Sequence, residues 1–131
     1  MAMSTYLATA LLNAVFRNTP FTSPDTVYLA LYTSDPTDED IGTEVNGGGY
    51  ARKAVTFTAP VVNNGRVEIS NDTEIVFDVA TSDWGTVSHV GVRDAETGGN
   101  LLYYGALATP REILTDDQLR FTVGGLILTL D

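Results

Sequence analysis

Thr26-Val27-Tyr28-Leu29-Ala30-Leu31-Tyr32-Thr33 is the stretch that decides the fold. Val27, Leu29 and Leu31 alternate with Tyr28, Ala30 and Tyr32, so a strand here is apolar on both faces, as strands buried in the middle of a sandwich are. The same period of two recurs along the chain. Tyr50 to Thr58 places Ala51, Lys53, Val55 and Phe57 on one side, Arg66 to Ser70 alternates Val67 with Ile69, and Glu74 to Val79 aligns Ile75, Phe77 and Val79. Further strands are predicted over Thr86 to Arg93, Leu101 to Leu107, Gln118 to Val123 and Leu126 to Leu130. Turn residues separate them: Ser34-Asp35-Pro36-Thr37, Asn63-Asn64-Gly65, Asn71-Asp72, Asp94 to Asn100 and Gly124-Gly125. About eight short strands at this spacing predict a mainly β fold, an antiparallel β-sandwich of jelly-roll-like or barrel-like form.

Upstream of the deciding strand the period changes. Leu7, Ala8, Leu11, Leu12, Val15 and Phe16 recur every three or four residues, which predicts one amphipathic helix over residues 4–17 with its stripe in the core. Ser4 or Thr5 can cap its start, and Asn18-Thr19-Pro20 ends it. This apolar beginning lacks the basic residues that open a signal peptide, so it is read as part of the mature fold. At 131 residues the chain has the size of one domain: the helix, then a β-domain over residues 26–131.

Composition narrows the function classes. With 44% apolar and 18% charged residues the chain belongs with globular proteins, and no apolar run is long enough for a spanning helix. A net charge of −10 repels phosphate backbones and anionic lipid surfaces, which argues against nucleic acid and membrane as partners. There is no cysteine and one histidine, His89, on a predicted strand, so thiolate sites and most transition-metal sites are excluded. Ser88 beside His89 is not expected to form a catalytic pair, because neighbours on a strand point to opposite faces. Carboxylates alone can hydrolyse glycosides, but the acids here cluster in polar turns. The chain is read as a non-enzyme without a cofactor.

Residues 35–49 form the longest loop, predicted to be exposed, with Asp35, Asp38, Glu39, Asp40 and Glu44 before Gly47-Gly48-Gly49. Asp38-Glu39-Asp40-Ile41-Gly42 puts glycine one place too early for an EF-hand, which leaves a looser calcium site or a solvated loop. Trp84 and the six tyrosines could stack on sugars, although Tyr28, Tyr32, Tyr103 and Tyr104 sit in apolar strands. Six of the seven basic residues are arginines. Two readings stand side by side: planar guanidinium groups that anchor protein contacts, or an arginine-favouring genome. On the first reading, Tyr28, Tyr32, Arg52, Arg66 and Arg111 are the candidate protein-interface residues.

Four stretches stand out together: VFRNTPF at 15–21, TVYLALYTSDPT at 26–37, TEVNGGGYARKAVTF at 43–57 and DWGTVSHVGVRDAETGGNLLYYGAL at 83–107. In this order they resemble a family of small tailed-phage and prophage virion proteins commonly labelled tail fibre or minor structural proteins. GGGYAR at Gly47 to Arg52 and WGTVSHVG at Trp84 to Gly91 are the most specific pieces. Each also has a structural reading, since the glycines allow close backbone approach and Trp84 can cover the end of a core. The resemblance implies a virion protein without catalytic activity, whose partners are other virion proteins (major capsid protein or tail proteins). Separately, the apolar residues on both faces of Val27 to Tyr32 and at Leu126-Ile127-Leu128 predict that a homo-oligomer or larger shell completes the packing unless the helix covers the second face. A compact domain without heptads or repeats leans toward capsid decoration or cement over a fibre shaft. A carbohydrate-binding β-sandwich module is the alternative, and a carboxylate glycosidase the third reading.

Overall fold

The computed structural model describes residues 1–130. In chain order the elements are β1 (Ala2–Met3), α1 (Thr5–Phe16), β2 (Val27–Tyr32), β3 (Lys53–Val55), β4 (Val61–Asn63), β5 (Arg66–Ser70), β6 (Ile75–Val76), β7 (Gly85–Arg93), β8 (Leu101–Ile113), β9 (Arg120–Phe121) and β10 (Ile127–Leu130). The fold is mainly β, antiparallel throughout and sandwich-like. The largest sheet runs β1-β8-β7-β2-β3, a second runs β10-β5-β4, and β6 pairs with β9. The sheets stay open, so the barrel-like form is not adopted.

β2 lies between β7 and β3, the central place its two apolar faces require. On one face Leu29 stands opposite Val92 and Leu31 opposite Val90, and these enter the main core with Val55, Phe77, Trp84, Leu119 and Leu128. Ala30 and Tyr32 lie on the other face and form a smaller buried cluster with Leu101. No second chain is needed to cover that face. The loop after β2 folds back over it, held by Asp40 on Arg93 and Asp38 on Tyr104, with Pro36 fully buried. Gly91 sits opposite Ala30 and Tyr104. A side chain there would lie 2.7 Å from Leu101 Cδ1 and 2.8 Å from Tyr32 Cε2, so glycine is what lets the tyrosine ring rest on the sheet.

Several boundaries differ from the periodicity. Tyr50 to Thr58 contracts to Lys53–Val55 plus an isolated bridge from Phe57 to Asn71. The strands predicted from Glu74 and from Gln118 shrink to Ile75–Val76 and Arg120–Phe121. β8 instead runs on to Ile113, through Pro110. Proline is tolerated because the β7–β8 register slips between Val87 and His89, and Pro110 falls in that irregular stretch. β1 and β4 carry too few alternating residues to show a period.

The helix contradicts its expected burial. Ser4 is the N-cap, accepting from Leu7 N–H at 3.1 Å while its own hydroxyl donates to the Leu101 carbonyl at 2.5 Å. This ties α1 to the start of β8 and brings Leu7 against the core. No helix residue is fully buried, and Leu12, Val15 and Phe16 are 60%, 68% and 78% exposed. The two sheets fill the interior with their own side chains, so the helix lies along the sheet flank instead.

Candidate interaction surface

GGGYAR and WGTVSHVG meet in space through Gly48 and Trp84, 36 positions apart in sequence. Trp84 is 6% exposed and donates its indole N–H to the Gly48 carbonyl at 2.8 Å. Gly48 has φ +62°, and a side chain on it would touch the indole ring at 2.8 Å. The left-handed backbone and the close approach both require glycine. Tyr50 packs edge-on against Trp84 at 5.6 Å and stacks on Phe77 at 6.2 Å. With its ring enclosed and its N–H used, Trp84 is not a sugar platform.

Two arginines then join the acidic loop to the β7–β8 connection. Arg52 grips Glu44 through Nε and Nη2, both at 2.8 Å, and donates from Nη1 to the carbonyls of Ala95 and Gly98 at 2.9 and 2.8 Å. Arg93 grips both Asp40 oxygens at 2.7 and 2.8 Å and donates to the Tyr32 hydroxyl at 2.9 Å. It also reaches the carbonyls of Gly98 and Gly99 at 3.2 and 3.0 Å. Paired forks of this kind fix orientation as well as charge. The carboxylates expected to be solvated, or to hold calcium, are in large part engaged by the protein. The expectation of an exposed loop is corrected at Pro36 and Val45, which are buried, and at Glu44, whose side chain is 25% exposed.

The ionisation states follow from this packing. Burial would raise the Glu44 carboxyl, but hydrogen bonds from Arg52 and Tyr50 outweigh it and hold the group below its usual range. Burial first, then donation to Glu44, raises the Tyr50 hydroxyl. Tyr104, whose hydroxyl donates to Asp38, is pushed up to about 12. For Arg93 burial acts to lower the value, and the bonds to Asp40 and Tyr32 more than reverse it. At neutral pH Glu44, Arg52 and Arg93 are therefore charged, and Tyr50 and Tyr104 neutral.

The five candidate interface residues are therefore placed differently. Tyr32 and Arg52 use their polar groups inside the chain, Tyr32 at 1% exposure and the Arg52 side chain at 7%. Tyr28 is half-buried on β2, and Arg66 and Arg111 are exposed. Arg111 lines a groove of about 360 Å³ with Arg120, Leu107 and Phe121. The structure does not gather the five into one patch.

The premise that Ser88 and His89 point to opposite faces is corrected. Ser88 Oγ lies 2.8 Å from His89 Nδ1, because the register slip at this point breaks the strict alternation of faces. His89 Nε2 is 3.9 Å from Asp35, beyond hydrogen-bond reach, so no carboxylate orients the imidazole. Among the described residues no group of three metal-ligating side chains is found. Among the described residues no helix is long and apolar enough to cross a membrane. What sequence reasoning missed is the pairing of Asp40 with Arg93, which no local signal announces, and the exposure of the helix face.

Against known proteins, the family model described as Podophage GP4 fiber I protein gp80 matches residues 2–129. No curated protein matches the chain.

Proposed function

The chain belongs to the podophage fiber I protein family, a tail-fibre type of virion structural protein, and from that membership we propose that it is a tail-associated, non-enzymatic component acting through protein contacts. Membership of a fibre family favours the tail over the capsid decoration to which the compact fold leaned. The observation that carries the contact reading is how the polar chemistry is used. Both arginine forks, Tyr50, Tyr104 and the indole of Trp84 brace the chain's own loops, while the exposed surface offers apolar helix residues and scattered arginines. That is the equipment of an assembly part. Arg66 and Arg111 are assigned to the polar rim of contacts with other virion proteins, and Tyr28 to a separate contact of its own. Tyr32 and Arg52 act indirectly by holding the loops that a neighbour meets. The glycan-binding alternative loses its aromatic platform at Trp84.

Gold-labelled antibody against the chain, applied to intact particles, should mark the tail. Marking of the head shell would return the decoration reading. The same preparation, exposed to a serine-directed fluorophosphonate, should remain unlabelled, and covalent labelling at Ser88 would overturn the non-enzymatic assignment.

A further inference from the structure

We infer that the groove between β8 and β9 receives an extended acidic segment of a different virion protein, its carboxylates held by Arg111 and Arg120. The inference deepens the contact reading above and rests on it for the partner's setting. The groove, of about 360 Å³, is bounded by Leu107, Thr109 and Arg111 on one side and by Arg120, Phe121 and Thr122 on the other.

Charge identifies the occupant. The chain has 17 acidic residues against 7 Lys plus Arg, yet no Asp or Glu lines this groove. Three of the cations are closely paired elsewhere: Arg52 with Glu44 at 2.8 Å, Lys53 with Asp78 at 2.9 Å and Arg93 with Asp40 at 2.7 Å. Arg111 forms no ion pair among the described residues, and Arg120 reaches Glu74 only at 3.5 Å, its side chain 55% exposed. Two exposed guanidinium groups without a close carboxylate suit the planar acids of an incoming side chain. In a chain of net charge −10 the groove is a local reversal of sign, and it selects acidic segments while the rest of the surface repels them.

The backbone identifies that segment as extended polypeptide. β1 pairs with β8 only at Tyr103 and Tyr104, and Leu107 to Pro110 have no partner in the β7–β8 register. β9 pairs only with β6. Both strands thus have an edge with no strand beside it, the arrangement to which an extended segment adds. Its alternating side chains set acids against the arginines and apolar residues against Leu107 and Phe121. Phe121 is half-buried and packs edge to face on Phe77 at 6.2 Å, so it offers a fixed apolar wall and not an open ring for a sugar to stack on.

The test places a photoreactive benzoylphenylalanine at Thr109 or at Thr122, both exposed, in the chain carried by purified particles. After illumination, mass spectrometry of the adducts should find a segment of a different virion protein in which Asp or Glu alternates with apolar residues. Arg111→Glu with Arg120→Glu, checked for native circular dichroism, should cut the yield of that adduct about tenfold or more. Arg111→Lys with Arg120→Lys should retain part of it, because the charge stays and the fork is lost. Adducts only to another copy of this chain, or an undiminished yield from the glutamate variant, overturn the inference. An absence of adducts also overturns it, and oligogalacturonate that then shifts the amide resonances of Thr109 and Thr122 would give the groove to an acidic sugar. A chain retained on particles without a groove adduct leaves the proposed function standing, whereas a chain absent from particles removes both.

Discussion

Arg93→Ala is expected to cost about 3 kcal/mol of folding stability, toward the low end of what breaking a buried ion pair costs. The Arg93 side chain is 9% exposed and serves five acceptors: two Asp40 oxygens, the Tyr32 hydroxyl and the carbonyls of Gly98 and Gly99. Its removal strands Tyr32 in a buried cluster without its donor. Asp40, at 33% exposure, can recover water, which keeps the loss from being larger. Arg93→Lys should fall between, because an ammonium keeps the charge but not the fork. Urea unfolding measures the size, and amide exchange measures the place: protection should drop in residues 34–44 and 94–100 before it drops in β7. A loss under about 0.5 kcal/mol, the range of ordinary surface changes, would show that the loops are held by other means.

Asn71→Asp should cost at least as much, by a different route. Asn71 is fully buried; its amide donates to the carbonyls of Thr73 and Thr122 at 2.8 and 2.9 Å, and its oxygen accepts from Leu126 N–H at 2.8 Å. Together with main-chain bonds to Gly124 and Leu126 it locks the turn that feeds β10. A carboxylate cannot donate, so two carbonyls lose their partner and face a buried negative charge. At about 1–3 kcal/mol for each unsatisfied group, the loss is roughly 3–5 kcal/mol at pH 7. Burial raises the folded pKa of the new acid above its unfolded value of about 3.9. The native state then binds more protons than the unfolded state, so stability falls as pH rises from that value. The variant should therefore recover part of its loss near pH 4. Asn71→Ala, which adds no titrating group, supplies the reference. Equal losses for the aspartate variant at both pH values, measured against that reference, would refute the electrostatic account.

These two residues also mark how far the sequence could be read. Alternation placed β2, β5 and β7 within a residue or two, because strands buried on one or both faces must repeat their apolar residues. It overran β3, β6 and β9, whose neighbours are apolar for the sake of the core while their backbones leave the ladder. The helix was legible in position but not in burial. A stripe states that a face is apolar, and only the packing of the sheets decides whether room remains for it. Asn71 reads as an ordinary turn residue, and its burial depends on Thr122 and Leu126, some fifty residues away. Arg93 and Asp40 are likewise joined only by the folded chain. By contrast, GGGYAR and WGTVSHVG could be singled out because unusual local sequence marks a close approach, here between Gly48 and Trp84.

The central claim is that this chain is a structural part of the phage particle, and the most direct measurement is quantitative mass spectrometry of particles purified through a density gradient. The account predicts that the chain is retained through purification at a fixed small-integer ratio to the tail proteins. A chain abundant in the infected lysate but absent from purified infectious particles would contradict it.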